Sequence, residues 1–162
     1  MASLCYNSPI GPLLIAEEDG YIVEISFMKA DTRKKFKDSE RQLDPLEESI
    51  APVAATCIAE LKAYFAGELK EFTVPIKLIG TNFRKKVWAA LMTIPYGQTI
   101  SYKQLAERID NPKAVRAVGG ANHHNPISII VPCHRVIGAD GSLTGYGGGV
   151  DNKSFLLELE KQ

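Results

Sequence analysis

The spacing of apolar residues changes character near residues 72–76, and this change favours a fold in two parts. Before it, β-prone runs at residues 13–16 and 21–27 flank the turn signal Asp19-Gly20, which predicts a hairpin. After it, short segments with helical spacing alternate with turn residues. A chain of 162 residues can bury one good core or two small ones. We therefore predict an α+β protein with domains at residues 1–76 and 77–162.

The N-terminal domain should consist of a small sheet and a helix. Residues 3–7 are a candidate third strand beside the hairpin. Between Ile50 and Phe65 the apolar residues recur at helical spacing, and Gly67 ends that helix. Residues 29–48 are charged and aperiodic, so we expect a solvated loop or a short helix there. Residues 72–76 form a short extended piece that we expect to be the linker.

The C-terminal domain should be built mainly from short capped helices. Thr81 can cap a helix that ends before the turn at residues 95–97, and Ser101 can cap the next, over residues 102–109. Asn111-Pro112 opens a third helix that runs to residue 122. The last two form a helix-turn-helix arrangement, which is also common in proteins that bind no DNA. A buried extended run at 127–131, a turn at 138–141 and a helix around 153–157 follow.

The charges are divided unequally along the chain although the formal net charge is zero. Residues 1–80 carry 9 Lys/Arg and 13 Asp/Glu, whereas residues 81–162 carry 10 and 6. The basic half points to a polyanionic partner, although ordinary surface charge also explains it. No apolar run reaches the roughly 20 residues that span a bilayer, and the N-terminus lacks the pattern of a secretory signal. We therefore expect a cytoplasmic protein without a membrane partner.

Cys133 is the candidate nucleophile among three widely spaced cysteines. With Cys5 and Cys57 it makes an odd number without a C-x-x-C pair, so we expect free thiols and no zinc site. His134 and Arg135 follow Cys133 directly, and a basic neighbour can activate a thiol. Neighbouring side chains point to opposite sides of an extended segment, so a water could bridge His134 and the sulfur. A buried structural cysteine is the alternative that the residues alone leave open.

The residues around Cys133 closely resemble the O6-alkylguanine-DNA alkyltransferases, also called methylated-DNA–protein-cysteine methyltransferases. The resemblance rests on PCHRV at residues 132–136, on Asn125-Pro126 before it and on Gly145-Tyr146-x-Gly148-Gly149 after it. Upstream it includes PYG at 95–97, ISY at 100–102 and NPKAVRAVG at 111–119, and it covers most of residues 81–160. It implies a ribonuclease H-like N-terminal domain packed on a helical, winged-helix-like C-terminal domain.

The family reaction that this resemblance implies is DNA repair by direct reversal of damage. An alkyl group would move from O6-alkylguanine in DNA to Cys133 once per molecule, which inactivates the protein irreversibly. By the same resemblance His134 would act as the base through a water, Glu160 would orient His134, and Asn125 would hold the turn that carries the active segment. Tyr102 would assist rotation of the nucleotide and donate a hydrogen bond to the purine. No metal or organic cofactor is implied.

The resemblance also implies a mode of DNA binding. The protein would bind double-stranded DNA through the minor groove as a monomer, and Arg116 would fill the space left by the rotated nucleotide. The implied DNA-binding residues are Arg116, Tyr102, Ala117, Gly119, Ala121, Asn122 and Arg135. The implied pocket for the extruded base consists of Tyr102, Val131, Cys133, Tyr146, Gly147 and Gly148.

Two other functions remain open on the residues. A helix-turn-helix module could recognise alkylated DNA without transferring anything, but non-catalytic relatives replace the acceptor cysteine and Cys133 is present here. A thiol hydrolase could use Cys133 and His134, but this would leave the helix-turn-helix and Arg116 unexplained. A hydrolase turns over, whereas an acceptor protein stops after one equivalent.

Overall fold

The chain folds into two compact units, Met1–Lys77 and Leu78–Gln162, which divide one residue beyond the expected boundary. The computed structural model describes residues 2–28, 51–143, 146 and 149–162. Strands and helices both occur in it, so the α+β class is confirmed. The segment expected at residues 29–48 lies outside the described residues. No helix in the described part of the chain is long and apolar enough to cross a membrane.

The N-terminal unit contains an antiparallel sheet of three strands in the order β1 (Ala2–Ser8), β2 (Gly11–Glu18) and β3 (Tyr21–Phe27). The predicted hairpin is confirmed, and so is the third strand. Asp19 (φ 53°) and Gly20 (φ 83°) both have left-handed backbones. Two successive left-handed residues suit the twist of a tight hairpin, and for this reason Asp-Gly in a sequence predicts such a turn reliably.

One helix, α1 (Pro52–Phe65), contacts all three strands of this sheet. Its cap residue, Ala51, has no side chain that could accept a hydrogen bond from the first turn. Glu17 of β2 supplies that acceptor instead, because its Oε2 lies 3.2 Å from the backbone nitrogen of Val53. The buried residues of α1 share one side of the helix and are Ala54, Cys57, Ile58, Leu61 and Tyr64.

Residues 72–76 are not a linker, which corrects the expectation from sequence. The backbone of Ile22 in β3 donates to Pro75 O at 2.8 Å and accepts from Lys77 N at 2.9 Å. Glu60 of α1 also accepts hydrogen bonds from the backbone of Thr73 and Val74. The segment is therefore fixed to the sheet and helix of the N-terminal unit, through contacts that composition alone could not reveal.

The C-terminal unit is mainly helical and contains α2 (Asn82–Leu91), α3 (Tyr102–Arg108), α4 (Val115–His123) and α5 (Val150–Glu160). The predicted caps are confirmed: Thr81 accepts from Arg84 N at 3.2 Å, and Ser101 forms a capping box with Gln104. The helix α2 ends at Leu91, before the expected turn at 95–97, and α4 begins two residues after its expected start.

The helices α3 and α4 form the predicted helix-turn-helix, and α2 packs against both of them. A buried hydrogen bond fixes α2 to α4, since Trp88 Nε1 donates to Ala121 O at 2.8 Å. The short strands β4 (Ile100–Ser101) and β5 (Val136–Ile137) pair in parallel. They bring the start of α3 close to the segment that carries Cys133.

The expectation of an extended run at residues 127–131 is wrong. The chain turns there, with a bridge between Ser128 and Val131 and a left-handed backbone at Ile129 (φ 75°). This conformation is costly for a β-branched residue. A single 3-10 turn, Cys133–Arg135, follows, so the neighbours of Cys133 do not alternate as in a strand. The apolar composition of residues 127–131 correctly indicates burial of the apolar residues, but it does not predict the path of the backbone.

Replacing Gly20 with alanine should lower the free energy of unfolding by about 1–2 kcal/mol. A Cβ at Gly20 would meet no atom within 4 Å, so the cost comes from the left-handed backbone alone. Gly120→Ala is the matched control, because that site is also open but helical, and it should be neutral or stabilising by up to about 1 kcal/mol. Urea denaturation measures both; equal effects would contradict this account of the turn.

Candidate active site

Glu160 is the centre of a buried group of charged side chains. It lies at the end of α5, and only 4% of its surface is exposed. Its Oε2 lies 2.6 Å from His134 Nε2, and its Oε1 accepts from Arg135 Nε at 2.8 Å. The backbone N–H of Gly97 also donates to Oε1 at 3.3 Å. The fold thus brings Glu160 and His134, two predicted catalytic residues that are far apart in the sequence, into direct contact.

The expected role of Arg135 at the DNA interface is wrong. Its guanidinium is buried and makes a two-point contact with Glu160, with Nη2 3.2 Å from Oε2. Nη1 donates to Ile94 O at 2.7 Å, and the ring of Tyr96 lies 5.8 Å away. A buried carboxylate needs a compensating charge, and Arg135 provides it. Because Arg135 follows Cys133 and His134 in the sequence, it was expected at the DNA interface. The contact with Glu160 instead keeps its side chain buried.

The surroundings of His134 favour its neutral imidazole. Burial lowers the pKa of its imidazole, and the hydrogen bond and charge of Glu160 offset part of that effect. The neutral ring donates its Nε2–H to Glu160, which leaves the lone pair on Nδ1. Nδ1 is buried and has no hydrogen-bond partner among the described residues. It is therefore available to accept a proton.

Cys133 is a buried thiol that needs help to ionise. Burial raises its pKa to about 11, while a hydrogen bond from Asn125 and the charge of Lys153 act in the opposite direction. Asn125 also spans the turn before Cys133: its Nδ2 donates to Val131 O at 2.7 Å, and its Oδ1 accepts from Ile127 N at 3.0 Å. One amide therefore fixes the turn and contacts the thiol.

The polar backbone groups of Val131 are already used within the protein. Its N–H donates to Ile127 O at 3.0 Å, and its carbonyl accepts from Asn125 Nδ2 and from Cys133 N. This corrects the expectation that Val131 reads the extruded base, because its donor and both acceptor positions are taken. The residue serves the turn instead.

Two tyrosines of the predicted pocket lie near the sulfur. Burial and the charge of a Cys133 thiolate raise the pKa of Tyr102, and a hydrogen bond from Asn122 partly opposes them. Burial, Cys133 and Glu160 raise the pKa of Tyr146 well above its usual value. Both phenols therefore keep their protons at neutral pH and can act as donors. Gly147 and Gly148, the other predicted pocket residues, lie outside the described residues.

Helix α4 divides the predicted DNA-binding residues between two sides. Arg116 and Ala117 are exposed, and Gly119 is partly exposed, at a place where an added Cβ would lie 3.9 Å from the ring of Tyr102. The predictions for Ala121 and Asn122 are wrong as side-chain contacts with DNA, because both residues are buried. Ala121 accepts from Trp88, and Asn122 Nδ2 donates to Cys133 O at 3.3 Å. Small size or polarity alone did not reveal which side of the helix they occupy.

The sequence interpretation missed several residues. Lys153 is fully buried in α5, and its position three before Leu156 and seven before Glu160 could have shown that all three share one face. The exposed residues that continue the side of Arg116 were also missed; spacing of three or four could have identified them as Lys113, Gly120, His123 and His124. No group of three or more potential metal ligands occurs in the described part of the chain.

Comparisons with known proteins cover both units. Residues 82–162 match the family described as 6-O-methylguanine DNA methyltransferase, DNA binding domain, and residues 3–78 match its ribonuclease-like domain. A methylated-DNA–protein-cysteine methyltransferase from Methanosarcina acetivorans is 49% identical over 96% of this chain and 95% of its own. The structure of Mycobacterium tuberculosis OGT in complex with DNA is 48% identical, with a TM-score of 0.84 over 99% of this chain and 93% of that one.

A more distant relative has a similar fold. The structure of an O6-methylguanine DNA methyltransferase from Methanococcus jannaschii is 28% identical and has a TM-score of 0.66. The alignment covers 98% of this chain and 93% of the archaeal one. The shared fold therefore includes both units.

Replacing Glu160 with glutamine should lower the free energy of unfolding by about 3–5 kcal/mol, because Arg135 would remain buried without its counter-charge. Glu158→Gln, on the same helix, is the matched control. The Glu158 side chain is 68% exposed in its contact with Lys161, so its loss should cost less than about 1 kcal/mol. Guanidinium denaturation at pH 7 compares the two variants, and a similar small loss in both would refute the structural role of Glu160.

Proposed function

The chain belongs to the family of methylated-DNA–protein-cysteine methyltransferases, and from this premise we propose that Cys133 is its alkyl acceptor. The protein repairs DNA by direct reversal: the alkyl group of O6-alkylguanine moves to a cysteine of the protein itself. The product is a stable thioether, so each molecule reacts once. Cys57, the other buried cysteine, has a pKa raised to about 12 by burial and by Glu60, which makes it a poor nucleophile.

The observation that best supports Cys133 is the hydrogen-bonded pair of His134 and Glu160 beside it. Glu160 accepts from Nε2, which fixes the ring and leaves Nδ1 as the basic atom. We propose that Nδ1 receives the thiol proton through a bridging water. Because burial keeps the thiol protonated at neutral pH, this transfer is needed before the sulfur can attack.

The reaction then follows from the charges around the sulfur. The thiolate of Cys133 attacks the alkyl carbon, an S–C bond forms, and the C–O6 bond breaks with its electron pair going to guanine. Overall the thiol proton replaces the alkyl group on guanine. Tyr102 is half-buried near the sulfur and protonated at neutral pH, so it can donate a hydrogen bond to the leaving purine.

We propose that the exposed side of α4 binds the minor groove. Arg116 and Ala117 lie on that side, and a small residue next to an arginine allows the helix to approach the DNA backbone closely. Arg116 would occupy the space of the rotated nucleotide, with Lys113 at the preceding turn near the phosphates. We expect one copy to bind per lesion, with a monomer in solution.

We also propose that the protein works in the cytoplasm. None of the three cysteines forms a disulfide in the structure, and a reducing compartment keeps such an acceptor thiol available.

Incubation with a short duplex containing O6-methylguanine should add a single methyl group to the wild-type protein. Intact-protein mass spectrometry followed by peptide mapping should locate it on Cys133, saturating at one per molecule. Cys133→Ser should gain no methyl group and still bind the duplex, while Cys5→Ser, the matched control, should react like the wild type. A methyl group on another residue would reject Cys133 as the acceptor. An unmodified wild-type protein that binds the duplex would favour lesion recognition without transfer.

Arg116→Ala should slow transfer from duplex DNA about tenfold or more and leave reaction with a free O6-alkylguanine base nearly unchanged. The free base needs no rotation out of a duplex, so it bypasses the proposed role of Arg116. Arg84→Ala removes an exposed arginine from α2 and serves as the matched control for charge. Single-turnover rates on both substrates measure the effect, and equal losses on duplex and free base would disprove the role.

A further inference from the structure

Asn122 is a buried amide on the inner side of α4, and the proposed reaction so far gives it no role. Only 1% of its surface is exposed, and its Oδ1 has no hydrogen-bond partner among the described residues. A buried acceptor without a partner disfavours folding, and an apolar side chain would avoid that cost. The contribution of this amide therefore lies in its two N–H donors.

Both donors of Asn122 are directed into the alkyl-transfer site. Nδ2 donates to the carbonyl of Cys133 at 3.3 Å, in the turn that carries the proposed acceptor. It also donates to the hydroxyl of Tyr102, at the start of α3. A primary amide nitrogen carries two protons, one for each of these bonds. Asn122 thus connects the acceptor turn with the phenol that is proposed to donate to the leaving purine.

The ring of Tyr102 lies against the same side of α4. Gly119 precedes Asn122 by three residues, and residues three apart share one side of a helix. A Cβ added at Gly119 would lie 3.9 Å from the Tyr102 ring, so the ring is next to the helix at this position. Lys153 Nζ, from α5, lies 5.9 Å from the centre of the same ring. These neighbours fix the ring, and Asn122 contacts the hydroxyl that the ring carries.

The hydrogen bond from Asn122 determines what the Tyr102 hydroxyl can do. A phenol donates one hydrogen bond and can also accept, and rotation of its O–H bond decides which neighbour receives the proton. Because Asn122 donates to the oxygen, the phenol proton cannot point towards Asn122 and is left for another acceptor. A hydrogen bond that a hydroxyl accepts also strengthens the one that it donates.

We propose that Asn122 is a positioning residue that directs the hydroxyl proton of Tyr102 towards the leaving purine. The purine accepts this hydrogen bond most strongly as the C–O6 bond breaks and its electron pair goes to guanine. Tyr102 keeps its proton, and the S–C bond forms at Cys133 as described above. The inference rests on the proposed roles of Cys133 and Tyr102, and it adds a residue that acts through Tyr102.

The test is a double-mutant cycle on single-turnover methyl transfer from duplex DNA at saturating protein, so that binding does not limit the rate. Asn122→Leu removes both donors and keeps the branched shape of the side chain. Tyr102→Phe removes the hydroxyl, and a third protein carries both changes. Asn82→Leu makes the same substitution at an exposed asparagine of α2 and is the matched control. Peptide mapping locates the methyl group in each protein.

We expect Asn122→Leu to slow transfer about tenfold when Tyr102 is present and less than about twofold in Tyr102→Phe, where no hydroxyl remains to be directed. Asn82→Leu should match the wild type. An equal loss in both backgrounds would overturn the proposal, because Asn122 would then act without Tyr102. A wild-type rate in folded Asn122→Leu would also overturn it.

The same cycle separates this inference from the proposed function. If Tyr102→Phe reacts like the wild type, the proposed role of Tyr102 is rejected, and the inference with it. If Tyr102→Phe is slow and Asn122 contributes equally in both backgrounds, the inference alone is rejected. A methyl group that maps to a residue other than Cys133 rejects the proposed acceptor.

A second measurement keeps Asn122 unaltered, in case Asn122→Leu does not fold. In ¹⁵N-asparagine-labelled protein, one of the two Nδ2 protons of Asn122 should shift upfield in Tyr102→Phe, because its acceptor is lost. The other proton, bound to the carbonyl of Cys133, should move little, and the side-chain resonances of Asn82 should not change. Two unchanged Asn122 protons would show that this amide does not donate to Tyr102, and would overturn the proposal independently.

Discussion

The buried carboxylate of Glu160 is the interaction on which the rest of the site depends. It binds His134 and Arg135 from the turn that carries Cys133, and it accepts from Gly97 in the loop after α2. Two separate segments are thereby held to the end of α5. A carboxylate in this position would be very unfavourable without a cation. Arg135 supplies that cation. Burial, and to a smaller extent the charge of Arg135, lowers the pKa of His134, the proposed base.

The resting site keeps the proposed nucleophile, Cys133, and the proposed base, His134, uncharged. Burial raises the pKa of Cys133 to about 11 and lowers that of His134, so neutral thiol and neutral imidazole are favoured at pH 7. A protonated thiol reacts slowly with stray electrophiles. This suits a protein whose acceptor can be used once, because the thiolate forms efficiently only where the fixed base and nearby charges favour it. Burial of Cys133 therefore disfavours its ionisation, and in this way it also limits reaction of the thiol with stray electrophiles.

Local signals in the sequence predicted the helices and strands where neighbouring residues decide the conformation. They did not predict the conformation where contacts with distant residues decide it. Asp19-Gly20, Thr81 and Ser101 act on their own neighbours, so the hairpin and the helix caps could be predicted. The left-handed turn at Ile129 could not, because Asn125 imposes it from outside the apolar run. For the site, the resemblance led to Cys133, His134 and Glu160, whereas the burial of Arg135 and Lys153 depends on partners 25 and 17 residues away.

Helix α4 joins the proposed DNA surface to the chemistry because its two sides have different tasks. Arg116 faces outward, while Asn122 on the inner side donates to the carbonyl of Cys133 and hydrogen-bonds Tyr102. The bond from Trp88 to Ala121 fixes the same stretch of helix to α2. A helix of nine residues is too short to bend appreciably between these contacts. In the proposed complex, placing the outer side of α4 against DNA would therefore also set the position of Tyr102 and of the turn that carries Cys133 relative to the DNA.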